Sequence, residues 1–483
     1  MTQKFVISVY CGPQPPIEID GIKYPDRIIE QQFHFLKDIG VNTIYGQCDI
    51  MNSETEEYAF KSLDICEKLG LDYLVKDLIA REYCSLGEPM FGKYLFKDYR
   101  RLSETERNEL DERFEKSLLR YKSKKAFKGI IFVDEPGAEM FNGIARAKKV
   151  FDRVCPDKIF LVNHQHHCCD SAFYQFGGWQ IKKDEPLSEE YKFVQDRTHY
   201  KYDGFYEDNA IRRYEGFLEK YFDTVKSEIF SYDIYPFIEY KGIKAINKAL
   251  YELPQLARKL CKKYGLTYWN FLQCGGKWDD LAKITTFADV QLSVSVAMAT
   301  GAKGLEIYPG CFPNDCLPKT REESGVIDEF GNPTVQYDYY KAALMQAQAV
   351  EKYIVPAELK GIIVRGEYYD GNPSAEVLRD EYDMNDIYKG KLPVLADYEL
   401  KNYKELKKVS CDSQVLVSCF DNGGKSVFLV VNTSPIKATG VKLEFDLKRS
   451  FVKIRNGIAE NFESDTTEEI ALLAGENFAI VIS

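Results

Sequence analysis

The chain has 483 residues, enough for one large domain and a smaller second one, each with its own core. A hydrophobic content of 45% argues against disorder, and a formal net charge of −11 makes nucleic acid a poor partner because a phosphate backbone would be repelled. No apolar run reaches the roughly 18 residues of a membrane span and no leader peptide is visible, which predicts a cytoplasmic protein unless a signal peptide has been trimmed.

Short apolar runs alternate along the first three quarters of the chain with helical segments that end in glycine, such as Arg27–Gly40 and Glu56–Gly70. The runs are Phe5–Cys11, Asn42–Gln47, Asp72–Lys76, Gly129–Val133, Lys158–Asn163, Ile229–Tyr235, Thr267–Gln273 and Gly304–Tyr308. Eight such units predict the α/β class and a closed (β/α)8 TIM barrel over residues 1–354. An open doubly wound sheet is the alternative, but the prolines after the first run, at 13, 15 and 16, lack the N–H groups that would bind a pyrophosphate.

Two further regions interrupt or follow the barrel pattern. Residues from about 165 to 226 are too many for one loop and helix, so we expect an aromatic-rich insertion over the barrel mouth, with Gly177-Gly178 inside it. After residue 355, short strands and turns such as Asp421-Asn-Gly-Gly424 predict a smaller C-terminal antiparallel β-sandwich over 355–483.

The fourth apolar run ends in Asp134-Glu135-Pro136, a carboxylate pair at a strand end. Active sites of these barrels are built where the strands end, and a glutamate at an apolar mouth can act as a general acid. Strand parity places Glu135 on the face of Ile131 and Val133 and turns Asp134 the other way. We therefore predict that Glu135 reacts and that Asp134 holds the loop.

Three of the five histidines lie in the segment 163–170, which reads Asn163-His-Gln-His-His-Cys-Cys-Asp170. Adjacent histidines tend to point apart and the spacing is not that of a known zinc motif. We expect no metal here and favour a sugar-binding loop containing Asn163 and His164.

The barrel, the acid at the tip of strand four and the trailing sandwich together resemble glycoside hydrolases of the large (β/α)8 clan that includes β-galactosidases and cellulases. Ser231-Tyr-Asp-Ile-Tyr-Pro236, the approach to strand eight from Met298 to Tyr308, and Val430-Val-Asn432 are similar to segments of bacterial members. The resemblance implies that Glu135 is the general acid/base. It also implies a nucleophilic glutamate at the end of strand seven, where this chain has Gln273.

Because an amide cannot replace that carboxylate, another acid must act with Glu135. Glu306 lies inside strand eight with Leu305 and Ile307 on the opposite face, so we expect it to point into the barrel. Strands four and eight face each other, which favours the ~6.5–9.5 Å carboxylate spacing of an inverting enzyme. Asp233 is the alternative second acid.

The sequence thus predicts a glycosidase, with Glu135 and Glu306 as catalytic residues, that hydrolyses an oligosaccharide or glycoside without a cofactor. Residues at strand ends or in loops are expected to contact the carbohydrate: Asp77, Asp134, Asn163, His164, Trp179, Asp233, Tyr235, Gln273 and Tyr308. A non-catalytic carbohydrate-binding barrel and a metal-dependent barrel hydrolase remain alternatives, and the sequence leaves open whether the chain forms a homo-oligomer.

Overall fold

A computed structural model describes residues 4–49, 53–89, 95–167, 169, 171–178, 180, 182, 185–191, 205–240, 242–276, 283–314, 325–367 and 398–482. Within them, eight parallel strands close into a barrel in sequential order, which confirms the predicted fold class. Barrel strands one to eight are Val6–Val9, Thr43–Asp49, Asp72–Lys76, Phe127–Asp134, Ile159–His164, Ile229–Tyr232, Thr267–Gln273 and Gly304–Tyr308.

Helices surround the barrel and connect its strands. They span Glu30–Asp38, Ser53–Leu69, Leu78–Arg81, Glu104–Tyr121, Phe141–Val154, Ser171–Phe176, Phe205–Val225, Ala249–Tyr264, Phe287–Ala299 and Val335–Ile354. Gly40 and Gly70, expected as helix stops, have φ of 102° and 69°, values that favour glycine. No helix among the described residues has both the length and the hydropathy of a membrane span.

The lower half of the barrel interior is an apolar layer. It consists of Tyr45, Leu74, Ile131, Leu161 and Trp269, all at most 3% exposed. The indole of Trp269 crosses to strand eight, where a Cβ on Gly304 would lie 2.2 Å from the indole Cγ. Polar side chains can therefore gather only above this layer, at the carboxyl ends of the strands.

The C-terminal residues form an antiparallel β-sandwich, as predicted. Its strands are Glu358–Arg365, Leu406–Cys411, Val415–Asn422, Lys425–Asn432, Thr439–Arg455, Ile458–Thr466, Ile470–Leu472 and Asn477–Ile482. The longest strand, Thr439–Arg455, pairs through residues 441–445 with Leu406–Cys411 and through residues 451–454 with Asn477–Ile482. The strand Ile458–Thr466 was not predicted, since it is exposed along its length and lacks apolar alternation.

The sandwich packs against the last two barrel helices rather than over the site. Residues 289–299 of helix Phe287–Ala299 are all buried, because this helix contacts the barrel and the sandwich. Across this interface, Ser418 Oγ donates to the carbonyl of Ala299 at 2.6 Å and Asn477 Nδ2 donates to Ser295 Oγ at 2.8 Å. The sandwich therefore supports the barrel from outside.

Candidate active site

Three carboxyl groups converge on one amide at the ends of barrel strands four, five and six. The Nδ2 group of Asn163 donates to Asp134 Oδ1 and to Asp233 Oδ1, each at 2.8 Å. The two oxygens therefore lie no more than twice that distance apart. Glu135 is hydrogen-bonded to Asp233. We call Asp134, Glu135 and Asp233 the acid cluster.

The backbone of strand four brings both of its acids into this cluster. The pairing of strands four and five shifts register between Ile131 and Val133, so Val133 packs outside the barrel and Asp134 turns inward beside Asn163. Glu135 then adopts a left-handed conformation with φ of 48°. The prediction that Asp134 faces away from the reacting acid was wrong, because a bulge reverses the alternation on which it depended.

The members of the acid cluster have different electrostatic surroundings. Burial raises the pKa of Asp134, but the hydrogen bond from Asn163 and the positive charge of Arg81 oppose that rise. Burial raises the pKa of Asp233 well above its usual range, and the negative charges of Glu135 and Asp134 raise it further. Asp233 therefore keeps a proton to higher pH than Asp134 does.

Glu306 points into the barrel, as predicted, but lies beneath the acid cluster and is completely buried. Tyr45 donates its phenolic hydrogen to Oε1. Ser231 Oγ is 2.7 Å from Oε2 and 3.1 Å from the Asn163 side-chain oxygen. Burial raises the pKa of Glu306, and the negative charge of Asp134 adds to this effect. Hydrogen bonds from the two hydroxyls oppose it, and the resulting pKa is about 7.

Hydrogen-bond counting explains why a neutral Glu306 fits this position. The hydroxyl of Ser231 has one hydrogen but two neighbouring acceptors, Glu306 and Asn163. Both contacts are hydrogen bonds only when Glu306 carries a proton and donates it to Ser231, which then donates to Asn163. A protonated Glu306 thereby orients the amide that holds two acids of the cluster.

Aromatic rings surround the acids at the mouth. The ring of Tyr308 lies 5.8 Å from that of Tyr10 and 5.5 Å from that of Tyr235, and all three tyrosines are half-buried. Tyr10 is hydrogen-bonded to Asp134. Half-exposed tyrosines present an apolar face and a hydroxyl together, a combination suited to a sugar ring. Tyr10 was not predicted as a site residue, although it follows Val6 and Ser8 at every second position of strand one, on the face that leads to the mouth.

Asp77 does not join the site. Its Oδ1 accepts from the backbone N–H groups of Ile79 and Ala80, and its Oδ2 accepts from the hydroxyls of Ser117 and Tyr121 at 2.6 and 2.7 Å. The carboxyl is fully buried and caps helix Leu78–Arg81. The structure thus contradicts the expected sugar contact, because the side chain turns outward from the barrel into the helix layer.

His164 is also turned away from the mouth. Its ring is buried 4.3 Å from the ring of Tyr221 and 5.7 Å from that of Phe230, in the layer between strand and helix. Neither ring nitrogen has a hydrogen-bond partner among the described residues, and burial lowers its pKa to about 3. The expected sugar contact is therefore wrong for His164. Among the described residues, no three His, Cys, Asp or Glu side chains are arranged so that they could hold a metal ion, and Trp179 lies outside these residues.

Gln273 ties two loops together instead of facing a substrate. Its Oε1 accepts from the N–H of Phe237 at 3.0 Å, and its Nε2 donates to the carbonyls of Phe237 and Lys283 at 3.1 and 3.0 Å. A carboxylate could not donate these bonds and would repel both carbonyls. The amide at this strand end is thus explained by loop anchoring, and the expected sugar contact is not present.

No protein-family model matches this sequence, and no curated protein matches it significantly. Solved structures resemble the fold over the whole chain. A β-galactosidase from Bacillus circulans sp. alkalophilus has a TM-score of 0.52 at 10% identity, covering 99% of each chain. An Anoxybacillus α-amylase has a TM-score of 0.51 at 9% identity, covering 100% of this chain and 98% of the other.

A catalytic mutant of Gan42B, a family 42 β-galactosidase from G. stearothermophilus, has a TM-score of 0.50 at 9% identity and covers 100% of both chains. At these identities the likeness concerns the fold alone. The chain therefore shares with these glycoside hydrolases a (β/α)8 barrel followed by a C-terminal β-domain.

Proposed function

We propose that this protein is a glycoside hydrolase that acts on an oligosaccharide or glycoside. The observation that carries the proposal is the acid cluster, in which one amide holds two carboxyls at 2.8 Å and a third carboxyl bonds to one of them. Glycoside hydrolysis needs one carboxyl that gives a proton and another that is ionised. The fold neighbours named as β-galactosidases support this interpretation.

Glu135 delivers the proton to the leaving oxygen. Glu135 and Asp233 form a hydrogen-bonded pair, along which the proton held by Asp233 can pass to Glu135. Asp233 is 7% exposed whereas Glu135 is half-buried, so Glu135 is the member that a substrate at the mouth can reach. Asp233 replaces Glu306 as its partner in this proposal, because Glu306 has no exposed surface.

Asp134 is the ionised carboxylate in this proposal. Arg81 and Lys76 place positive charge near it, and Asn163 and Tyr10 hydrogen-bond to it. The pair of Glu135 and Asp233 lies close to Asp134, since Asp233 Oδ1 and Asp134 Oδ1 are within twice 2.8 Å of each other. We therefore propose a retaining mechanism, in which the two carboxyls are only ~5–5.5 Å apart. Asp134 attacks the anomeric carbon while the bond to the leaving oxygen breaks and that oxygen takes the proton from Glu135. Water then hydrolyses the glycosyl-enzyme ester.

The rim tyrosines complete the proposed site. Tyr10, Tyr235 and Tyr308 would stack on or hydrogen-bond to the sugar ring, and Asn163 would keep the carboxyls oriented. These side chains supply binding and proton transfer without a cofactor.

The test is a screen of aryl glycosides and oligosaccharides with the wild type and with the double variant Glu135→Gln/Asp233→Asn, in the presence and absence of a chelator. We expect turnover by the wild type, a loss of about 10³-fold or more by the double variant on oligosaccharides and on glycosides with poor leaving groups, and no effect of the chelator. Sugar binding with no turnover of any compound would instead favour a carbohydrate-binding barrel. Activity removed by the chelator would favour a metal-dependent hydrolase.

Glu306→Gln should separate a supporting role for this residue from a catalytic one. Glutamine donates to Ser231 and accepts from Tyr45, as protonated Glu306 does, so we expect at least a tenth of wild-type turnover to remain. A loss of about 10³-fold would instead identify Glu306 as the second catalytic acid.

The same variant should change how stability depends on pH. Because folding raises the pKa of Glu306 from 4.5 to about 7, the folded protein binds more protons between these values. The free energy of unfolding therefore falls as pH rises through that window, by up to roughly 3 kcal/mol from this group. In Glu306→Gln the free energy of unfolding should fall less over this window, because the contribution of Glu306 is absent. Urea unfolding of both proteins at about pH 5 and about pH 8 measures the difference. Equal declines in both proteins would contradict the protonated state.

A further inference from the structure

We propose that the insertion after barrel strand five is part of the catalytic apparatus, and that Gly178 within it is a positioning residue for Glu135. The inference rests on the proposed function, since it assigns a role relative to the proposed proton donor. The insertion is not needed to form a (β/α)8 barrel, and the proposed proton donor and nucleophile lie outside it.

The insertion lies directly against the loop that carries Glu135. Gly177 forms an isolated antiparallel bridge with Pro136, and a Cβ on Gly137 would lie 2.2 Å from the nitrogen of Gly177. Gly177 itself has a positive φ of 83°. Two backbones can approach this closely only where side chains are absent, so these glycines fix the insertion onto the strand-four loop.

The insertion supplies one of two hydrogen bonds that hold the backbone of Glu135. The N–H of Glu135 donates to the carbonyl of Asn163 at 2.8 Å, and its carbonyl accepts from the N–H of Gly178 at 3.1 Å. A non-glycine residue with φ of 48° is strained and keeps that conformation only where its surroundings enforce it. Barrel strand five provides one side of this restraint and Gly178 the other.

Gly178 also makes room for the carboxyl group. A Cβ at this position would lie 2.6 Å from Glu135 Oε2 and 2.3 Å from Phe173 Cζ. Gly178 is not among the glycines with positive φ, so alanine can adopt its backbone conformation. What the glycine provides is therefore space, in which the carboxylate sits beside a ring that is 8% exposed.

Gly178→Ala is accordingly a test directed at the position of the proton donor. The three atoms nearest the added methyl group belong to the side chains of Phe173 and Glu135, so we expect the backbone to keep its conformation and the Glu135 carboxyl to move. Gly216→Ala is the matched control, because Gly216 is exposed on helix Phe205–Val225 and a Cβ there meets nothing within 4 Å.

The readout is kcat/KM across aryl glycosides whose leaving groups differ in acidity. A displaced proton donor slows departure of a poor leaving group and spares an acidic phenol that needs no proton. We expect Gly178→Ala to lose about tenfold or more on alkyl-substituted phenyl glycosides and less than about twofold on dinitrophenyl glycosides, with a melting temperature equal to that of the wild type. Gly216→Ala should match the wild type on every substrate.

Two outcomes would overturn the assignment. An equal loss on all leaving groups would mean that Gly178 supports binding or folding, and no loss on any would mean that the insertion does not position the acid. Glu135→Gln, measured on the same series, separates this failure from that of the function itself. If that variant also shows no dependence on the leaving group, the proposed acid is wrong rather than its positioning.

Discussion

Glu135→Gln is expected to lower kcat/KM by about 10³-fold for glycosides with poor leaving groups, the middle of the range that a general acid contributes. Glutamine preserves the size of the side chain and can still hydrogen-bond to Asp233, but it cannot release a proton to the glycosidic oxygen. For dinitrophenyl glycosides, whose leaving group needs no proton, the loss should be less than about tenfold. Initial rates over the leaving-group series, at saturating and at low substrate, measure this directly.

Glu139→Gln provides the control for this variant. Glu139 lies on the short helix Ala138–Met140 that follows the same loop. It pairs with Arg100 at 3.4 Å and accepts from Gln175 Nε2 at 3.5 Å, contacts that a glutamine oxygen can keep. We expect this variant to keep wild-type kinetics on every substrate. If kcat/KM of Glu135→Gln fell equally for all leaving groups, Glu135 would not be the proton donor. If turnover were unchanged, Glu135 would have no part in the mechanism.

The barrel could be predicted from the sequence because buried parallel strands have a simple signature. Strands three, seven and eight begin and end at the predicted residues, Asp72–Lys76, Thr267–Gln273 and Gly304–Tyr308. Each is a largely apolar run, and each is covered on both faces. The inward direction of Glu306 also followed from alternation, since strand eight has no bulge before it.

Side-chain direction at the strand ends could not be predicted in the same way. The register shift in strand four depends on pairing with strand five, and no residue type between Ile131 and Asp134 announces it. Asp77 and His164 occupy strand ends, but their side chains turn outward into the helix layer, where burial and capping hold them. Position along the chain identified the correct end of the barrel, whereas pairing and packing decide which strand-end residues face the substrate.

Asp134→Asn should be at least as damaging as the change at Glu135, with a different kinetic signature. Asparagine can accept the hydrogen bond from Asn163, so we expect the cluster to remain assembled. It cannot attack the anomeric carbon or neutralise a developing positive charge, so kcat should fall by about 10³-fold or more. The loss should be similar for poor and good leaving groups, because the missing step is bond formation to the sugar rather than protonation of the leaving oxygen.

Azide distinguishes a missing nucleophile from a distorted site when the carboxyl is removed, as in Asp134→Ala. If Asp134 forms the glycosyl-enzyme bond, a small anion can occupy the space that the carboxyl leaves and attack the same face of the sugar, which restores turnover and gives a glycosyl azide of inverted configuration. Asp152→Asn, on the exposed side of helix Phe141–Val154, should show neither loss nor rescue. Wild-type product analysed by NMR should retain its configuration. Inverted wild-type product would contradict the role of Asp134, because an inverting enzyme makes no covalent intermediate and needs a water between more widely spaced acids.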